Sequence, residues 1–249
     1  MTWPSDLFPS ILGVGVLIVL ATAVLWFYRA PHPFSPALAV LRGALQLAVI
    51  SIILTGVIQD PVWVAAALLV MFSVAVFTVT RRLGPTLEHL WMVTASMAAG
   101  ILVTLGIVFA TGAIQLSARY ALAIGGIVIG NSMTIATLAG RRFSESVYEH
   151  WDEVEGWLAL GATPRQSTHE LTRRAVYSAL IPSTDQTKTT GLVTLPGAFV
   201  GAIFGGVSPL EAGRFQIVVL ASLISAGTIT AVLLISWLAP VKVRPAALA

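Results

Sequence analysis

Runs of about twenty mostly apolar residues recur along this chain, near 9–28, 36–58, 62–80, 91–112, 119–140, 190–206 and 210–238. Each is close to the length that an α-helix needs to cross a hydrocarbon core of about 30 Å. No water reaches a backbone N–H or C=O inside such a core, so a spanning segment must close its own hydrogen bonds, as a helix does. The expectation is an all-α polytopic membrane protein with about seven transmembrane helices. Composition agrees: 57% of the 249 residues are hydrophobic and 10% are charged, whereas about a quarter are charged in soluble domains. The run at 190–206 is shorter than the others and rich in Gly and Pro. The absence of cysteine excludes disulfide frameworks, Cys-based zinc sites and thiol chemistry.

An odd number of spans puts the termini on opposite sides, and basic loops choose which side is which. An external N-terminus makes Arg29, Arg81, Arg82, Arg141, Arg142, Arg165, Arg173, Arg174, Lys188, Lys242 and Arg244 cytoplasmic and leaves only Arg119 and Arg214 outside. Asp6 and Asp60 are then external, and the C-terminus is cytoplasmic. The excess of basic over acidic residues, 14 against 11, therefore reports orientation in a cell membrane and not nucleic-acid binding. The first run lacks a basic leader and a small-residue cleavage site, so it reads as a retained span. Residues 1–249 read as a single transmembrane domain.

Arg141 to Lys188 is the longest non-apolar stretch and is expected to form a cytoplasmic segment. Phe143, Val147, Trp151, Val154 and Leu158 recur at three- and four-residue intervals on one helical stripe. Glu145, Glu149, Asp152, Glu153 and Glu155 make the remainder acidic, which suits an elbow packed on the protein better than one lying on anionic lipid. After Leu160-Gly161-Ala162-Thr163, the chain has good helix-starting chemistry. Thr163 suits the N-cap, Pro164 the first helical position, and Gln166 completes a capping box. A capped helix from Pro164 to Arg174 between membrane spans reads as a docking element.

The segments Gly130-Asn131-Ser132-Met133, Leu160-Gly161-Ala162-Thr163, Leu180-Ile181-Pro182, Gly191-Leu192-Val193-Thr194-Leu195-Pro196-Gly197 and Gly205-Gly206-Val207-Ser208-Pro209-Leu210-Glu211-Ala212 resemble the Fet-type permease family. That family includes bacterial iron-export permeases and plant aluminium-tolerance permeases. The resemblance implies a membrane subunit of an ABC transporter that works as a homodimer with a separate cytoplasmic ATPase. No G-x-x-x-x-G-K-[ST] phosphate loop is present, since Lys188-Thr189 lacks the preceding glycine. ATP and Mg are therefore expected in the partner ATPase, with no cofactor and no enzymatic activity in this chain. Glu155 and Gly161 fall at the spacing of the E-A-A-x-x-x-G loop by which many permeases meet their ATPases, with Gly156-Trp157 in place of the alanines. The coupling residues so identified are Glu155, Gly161, Ala162, Thr163, Pro164, Arg165, Gln166, Arg173 and Arg174.

Polar residues inside apolar runs mark a pathway or a packing seam. Arg42, with Gln46 one turn later, faces a cavity or snorkels to the headgroups. Asn131, Ser132 and Met133 follow a Gly-rich stretch, which serves close helix packing or lines a solute path. Met97 is the other soft side chain well inside a span. Pro196 removes a backbone donor and opens the helix near Gly197. These seven residues are the pathway candidates.

The substrate is less legible. His32, His89, His150 and His169 all fall at cytoplasmic or interfacial positions. Ala198-Phe199-Val200-Gly201-Ala202 stands where similar proteins carry a Met-rich turn. Iron or another metal is what the resemblance implies, while an amphiphile, a lipid-linked molecule or a nucleotide sugar is the alternative cargo. An ATPase-independent secondary transporter is the alternative mechanism, disfavoured by the lack of an inverted repeat and of a carboxylate in the apolar runs.

Overall fold

The computed structural model describes residues 7–57 and 60–245. Asp6 and both chain termini, which the sequence assigned to sides of the membrane, lie outside the described residues. The helices are α1 Leu7–Phe27, α2 Ser35–Val57, α3 Pro61–Leu83, α4 Leu87–Ala110, α5 Ala118–Glu149, α6 Trp151–Ala159, α7 Pro164–Ser167, α8 His169–Thr189, α9 Gly197–Phe204 and α10 Pro209–Leu238. Five of them, α1, α3, α4, α5 and α10, are long and apolar enough to cross a membrane, and Ser35–Ser51 of α2 is a shorter apolar helix. The chain is thus an all-α polytopic membrane protein.

Two compact units share the chain, Met1–Ile58 and Gln59–Ala249. In the first, α1 and α2 form a hairpin in which Ile18 and Ala21 lie near Ala37 and Val40. In the second, the helix starts follow from side-chain oxygens that satisfy otherwise orphaned backbone donors. Asp60 accepts from the Val62 N–H at 2.8 Å, Thr86 from His89, Ser117 from Tyr120 and Ser208 from Glu211. Arg81 and Arg82 close α3, Arg141 and Arg142 lie late in α5, and Lys242 and Arg244 follow α10, so one end of this unit is strongly basic.

Close approach at small residues holds α3, α4, α5 and α10 together, as expected where lipid tails offer no hydrophobic drive for helices to associate. A Cβ on Gly100 of α4 would lie 2.5 Å from Thr230 Oγ1 and 2.6 Å from the Ala226 carbonyl oxygen of α10. Gly227 of α10 makes room in the same way for Ile135 of α5. Thr104 Oγ1 donates to Ser225 Oγ at 3.1 Å across the α4–α10 seam. Around these contacts Val79, Val93, Met97, Ile124, Val128 and Leu234 are almost completely buried.

Two expectations need correction. Residues 190–206 do not form a continuous sixth span: α9 has eight residues, about 12 Å of helix, and a turn with Gly191 at φ 88° precedes it. Nor does the stretch 141–188 stay at the basic end. α8, 21 residues long, runs antiparallel to α5 and α10, with Leu171, Ala175, Ala179 and Ser183 buried at four-residue intervals. That small-residue stripe lets α8 lie against the apolar helices although its own sequence is polar. The helix expected over Pro164–Arg174 is α7 and the start of α8, separated by a break at Thr168.

The packing predicts a contrast between two glycines of one helix. Gly100→Ala should destabilise the protein in detergent by about 1–3 kcal/mol through overpacking. Gly106→Ala, where a Cβ meets nothing within 4 Å, should be neutral or mildly stabilising. Thermal unfolding of the two variants checks this.

Candidate functional site

Asn131 joins three helices. Its Nδ2 donates to the Leu223 carbonyl of α10 at 3.1 Å, and its Oδ1 accepts from the Ser183 hydroxyl of α8 at 3.1 Å. In α5 it stands about 15 Å of helix from Arg141 and about 18 Å from Arg119, at roughly 1.5 Å per residue. Leu223 falls near the middle of α10. Both helices therefore put this junction close to the centre of their apolar lengths, and Ser183 with it.

At the basic end, α6 leaves α5 through a break at His150, whose φ is −104° and ψ 29°. Phe143, Val147 and Val154 are buried in one cluster with Leu171 and Ala175, with Trp151 and Leu158 partly buried against it. The apolar stripe read from the sequence packs on the protein, as expected. Gly161, at φ 89°, then reverses the chain, a conformation that a Cβ disfavours. Thr163 and Gln166 form the anticipated capping box, with the Thr163 N–H donating to Gln166 Oε1 at 2.8 Å.

No local pattern in the sequence marks Thr168. It is fully buried, and its Oγ1 lies 2.8 Å from the Ala239 carbonyl oxygen and 3.1 Å from that of Pro164. One hydroxyl thereby fastens the α7–α8 junction to the end of α10. Arg244 adds a second tie: its guanidinium lies 4.4 Å from the centroid of the Tyr148 ring and donates to the Tyr148 carbonyl at 3.1 Å. Such ties span about 70 to 100 residues of sequence, so helical periodicity within one segment carries no trace of them.

The residues expected to couple to an ATPase lie at this turn and on the helices either side of it. Gly161, Thr163, Arg165 and Gln166 are exposed, while Ala162 and Pro164 are half-buried. A groove of about 510 Å³ runs between α8 and α10, lined by Arg165, His169, Arg173, Val176 and Ile235 among others. Arg174 faces the opposite side, where it pairs with Glu170 at 3.1 Å; both are well exposed, so the pair contributes about 1 kcal/mol or less. Glu155 lies on the exposed face of α6.

The pathway candidates do not converge. Met97 is fully buried among Val93, Ile101 and their neighbours, and Met133 packs against the same core. Ser132 is fully buried, with a hydroxyl that has no hydrogen-bond partner. Pro196 stands immediately before α9. Arg42 and Gln46 belong to the first unit, on one exposed face of α2. Among the described residues, no three His, Asp or Glu side chains gather where they could hold a metal ion.

The Asn131 junction predicts non-additivity. Asn131→Leu should cost about 0.6–2 kcal/mol, the range for hydrogen bonds between membrane helices, and Ser183→Ala less. The double variant should lose less than the sum of the two, since both remove one shared bond. Unfolding free energies of the three variants measure this coupling.

A family model described as Uncharacterised protein family (UPF0014) matches residues 9–241. The chain is 33% identical over 221 residues to the UPF0014 membrane protein YjkA of Bacillus subtilis, covering 88% of each. It is 34% identical over 222 residues to the protein ALUMINUM SENSITIVE 3 of Arabidopsis thaliana, covering 88% of this chain and 81% of that one. It is 33% identical over 141 residues to the probable iron export permease protein FetB of Escherichia coli, covering 57% and 54% respectively. No solved structure matches. With the family model running from α1 to beyond α10, this chain belongs to the UPF0014 family of membrane proteins.

Proposed function

We propose that this protein is the membrane-spanning subunit of an ABC exporter, working as a homodimer with a separate ATPase that binds ATP and Mg. The observation that carries this reading is the capped turn at the basic end. It presents Leu160, 82% exposed, and Trp157, 53% exposed, and Arg165 is exposed one residue into α7. Large apolar side chains held out beyond the apolar spans suit a protein partner, and the basic charge around them makes that side cytoplasmic, where ATP is found. The N-terminus is then external and the C-terminus cytoplasmic. The turn is also built to transmit movement. Thr168 ties it to α10, and α8 continues from it as one helix to Ser183 and the Asn131 junction.

The cargo is a small solute, with iron or another metal favoured by the names of the relatives: a probable iron export permease and a plant protein named for aluminium sensitivity. Pairing Gly161→Val with Thr163→Ala strains the left-handed turn and removes a cap that contributes about 0.5–2 kcal/mol. In lipid, the double variant should fold and dimerise but bind the ATPase at least several-fold more weakly, or lose solute-stimulated hydrolysis. Binding and stimulated hydrolysis equal to those of the parent protein would show that the ATPase docks elsewhere or is not a partner.

A further inference from the structure

We infer that the last two turns of α8, with Asp185, Gln186 and Lys188, line a water-filled passage through the membrane and form its polar wall at mid-depth. The inference rests on the reading of the chain as a permease, but not on the ATPase. Ser183 is level with Asn131 and Leu223 at the middle of α5 and α10. Asp185 follows within about 3 Å along the helix axis and Lys188 within about 8 Å. These residues are not folded into the bundle. Asp185 and Lys188 form an ion pair at 3.4 Å with their side chains 60% and 70% exposed, and Gln186 is exposed beside them. A lysine alone can snorkel toward a headgroup, but the short side chain of Asp185 has no such reach. A carboxylate that faces hydrocarbon at that depth is strongly disfavoured, and ionisable groups within membranes face a partner, a cavity or water.

Two backbone features on the same stretch agree. Pro182, inside α8, has no N–H to give the Ser178 carbonyl, which leaves an acceptor in need of water or another donor. Beyond Thr189 the chain leaves helical geometry at Gly191 and resumes it only at Gly197. Non-helical backbone within a membrane is stable only where it meets protein or lines a wet cavity. The hydroxyls of Thr187, Thr189 and Thr190 donate back to carbonyls of their own helix. Asp185, Gln186 and Lys188 are thus the groups left to face the lumen. A wall that offers a carboxylate, an amide and an ammonium suits a hydrophilic solute that travels with water, and it disfavours an amphiphile.

The natural absence of cysteine makes the test direct. Gln186→Cys and Thr189→Cys, each alone in the full-length chain in open membrane fragments, are treated with a charged methanethiosulfonate. Only a thiol in contact with water ionises and reacts readily. Leu102→Cys, at an apolar α4 position that is 69% exposed, reports the lipid-facing background. Labelling of Gln186→Cys or Thr189→Cys at least tenfold faster than Leu102→Cys is the expected result. Rates equal to Leu102→Cys for both would overturn the inference, whether an uncharged maleimide then labels them, as for a lipid-facing helix, or fails to, as for a face covered by a second copy. The labelling needs no ATPase, so its outcome is separate from that of the docking experiment.

Discussion

One side-chain amide, that of Asn131, marks where α8 is fastened to the apolar helices of the second unit. α5 and α10 are apolar and pack through glycines and small residues, but α8 carries Ser183, Thr184, Asp185, Gln186, Thr187 and Lys188 along its second half. Left to its composition it would stay in water. Asn131 offers the Ser183 hydroxyl an acceptor and takes the Leu223 carbonyl as its own, so the polar helix meets a polar partner where it enters the apolar bundle. The buried row Leu171, Ala175, Ala179 and Ser183 allows the close approach that those bonds require.

From that junction the logic runs outward in both directions. Toward the basic end, α8 is continuous to Thr168, where one buried hydroxyl meets the end of α10 and the capped turn begins. Toward the other end, α8 gives way to a non-helical stretch and to α9, which is too short to cross a membrane. α8 thus lies along α5 and α10 where residues 190–206 form no continuous span, and in the proposed exporter it would link a movement at the docking turn to the Asn131 junction. The Gly161 turn and the Thr163–Gln166 capping box fix the angle at which that lever leaves the elbow formed by α5 and α6.

Much of this was legible in the sequence because it is local. The apolar runs gave α1, α3, α4, α5 and α10; the stripe from Phe143 to Leu158 gave the elbow; Thr163, Pro164 and Gln166 gave a helix start. Hydropathy failed at α8 and α9 for a physical reason. A helix that packs on two apolar neighbours through a narrow buried stripe can be polar over the rest of its surface, so its mean character is polar and it reads as a soluble segment. The Gly-Pro-rich apolar stretch after it reads as a span, but Gly191 at positive φ and the glycines from Gly197 to Gly206 favour turns over a long helix. The four-residue spacing of Leu171, Ala175, Ala179 and Ser183 was the available signal. The Thr168–Ala239 and Asn131–Ser183 contacts join residues far apart in the chain and leave no such signal.

The central claim is that α8 enters the apolar bundle and meets α5 at Asn131. Oxidative crosslinking of an Asn131→Cys, Ser183→Cys pair in native membranes tests it most directly, with a Thr104→Cys, Ser225→Cys pair across the α4–α10 seam as the reference, since the parent hydroxyls are 3.1 Å apart. The account predicts that both pairs form intramolecular disulfides, the Asn131→Cys, Ser183→Cys pair more slowly because a cysteine sulfur stops one bond short of the Asn131 amide oxygen that meets Ser183. A Thr104→Cys, Ser225→Cys pair that closes while the Asn131→Cys, Ser183→Cys pair stays reduced would place α8 away from α5 and contradict it.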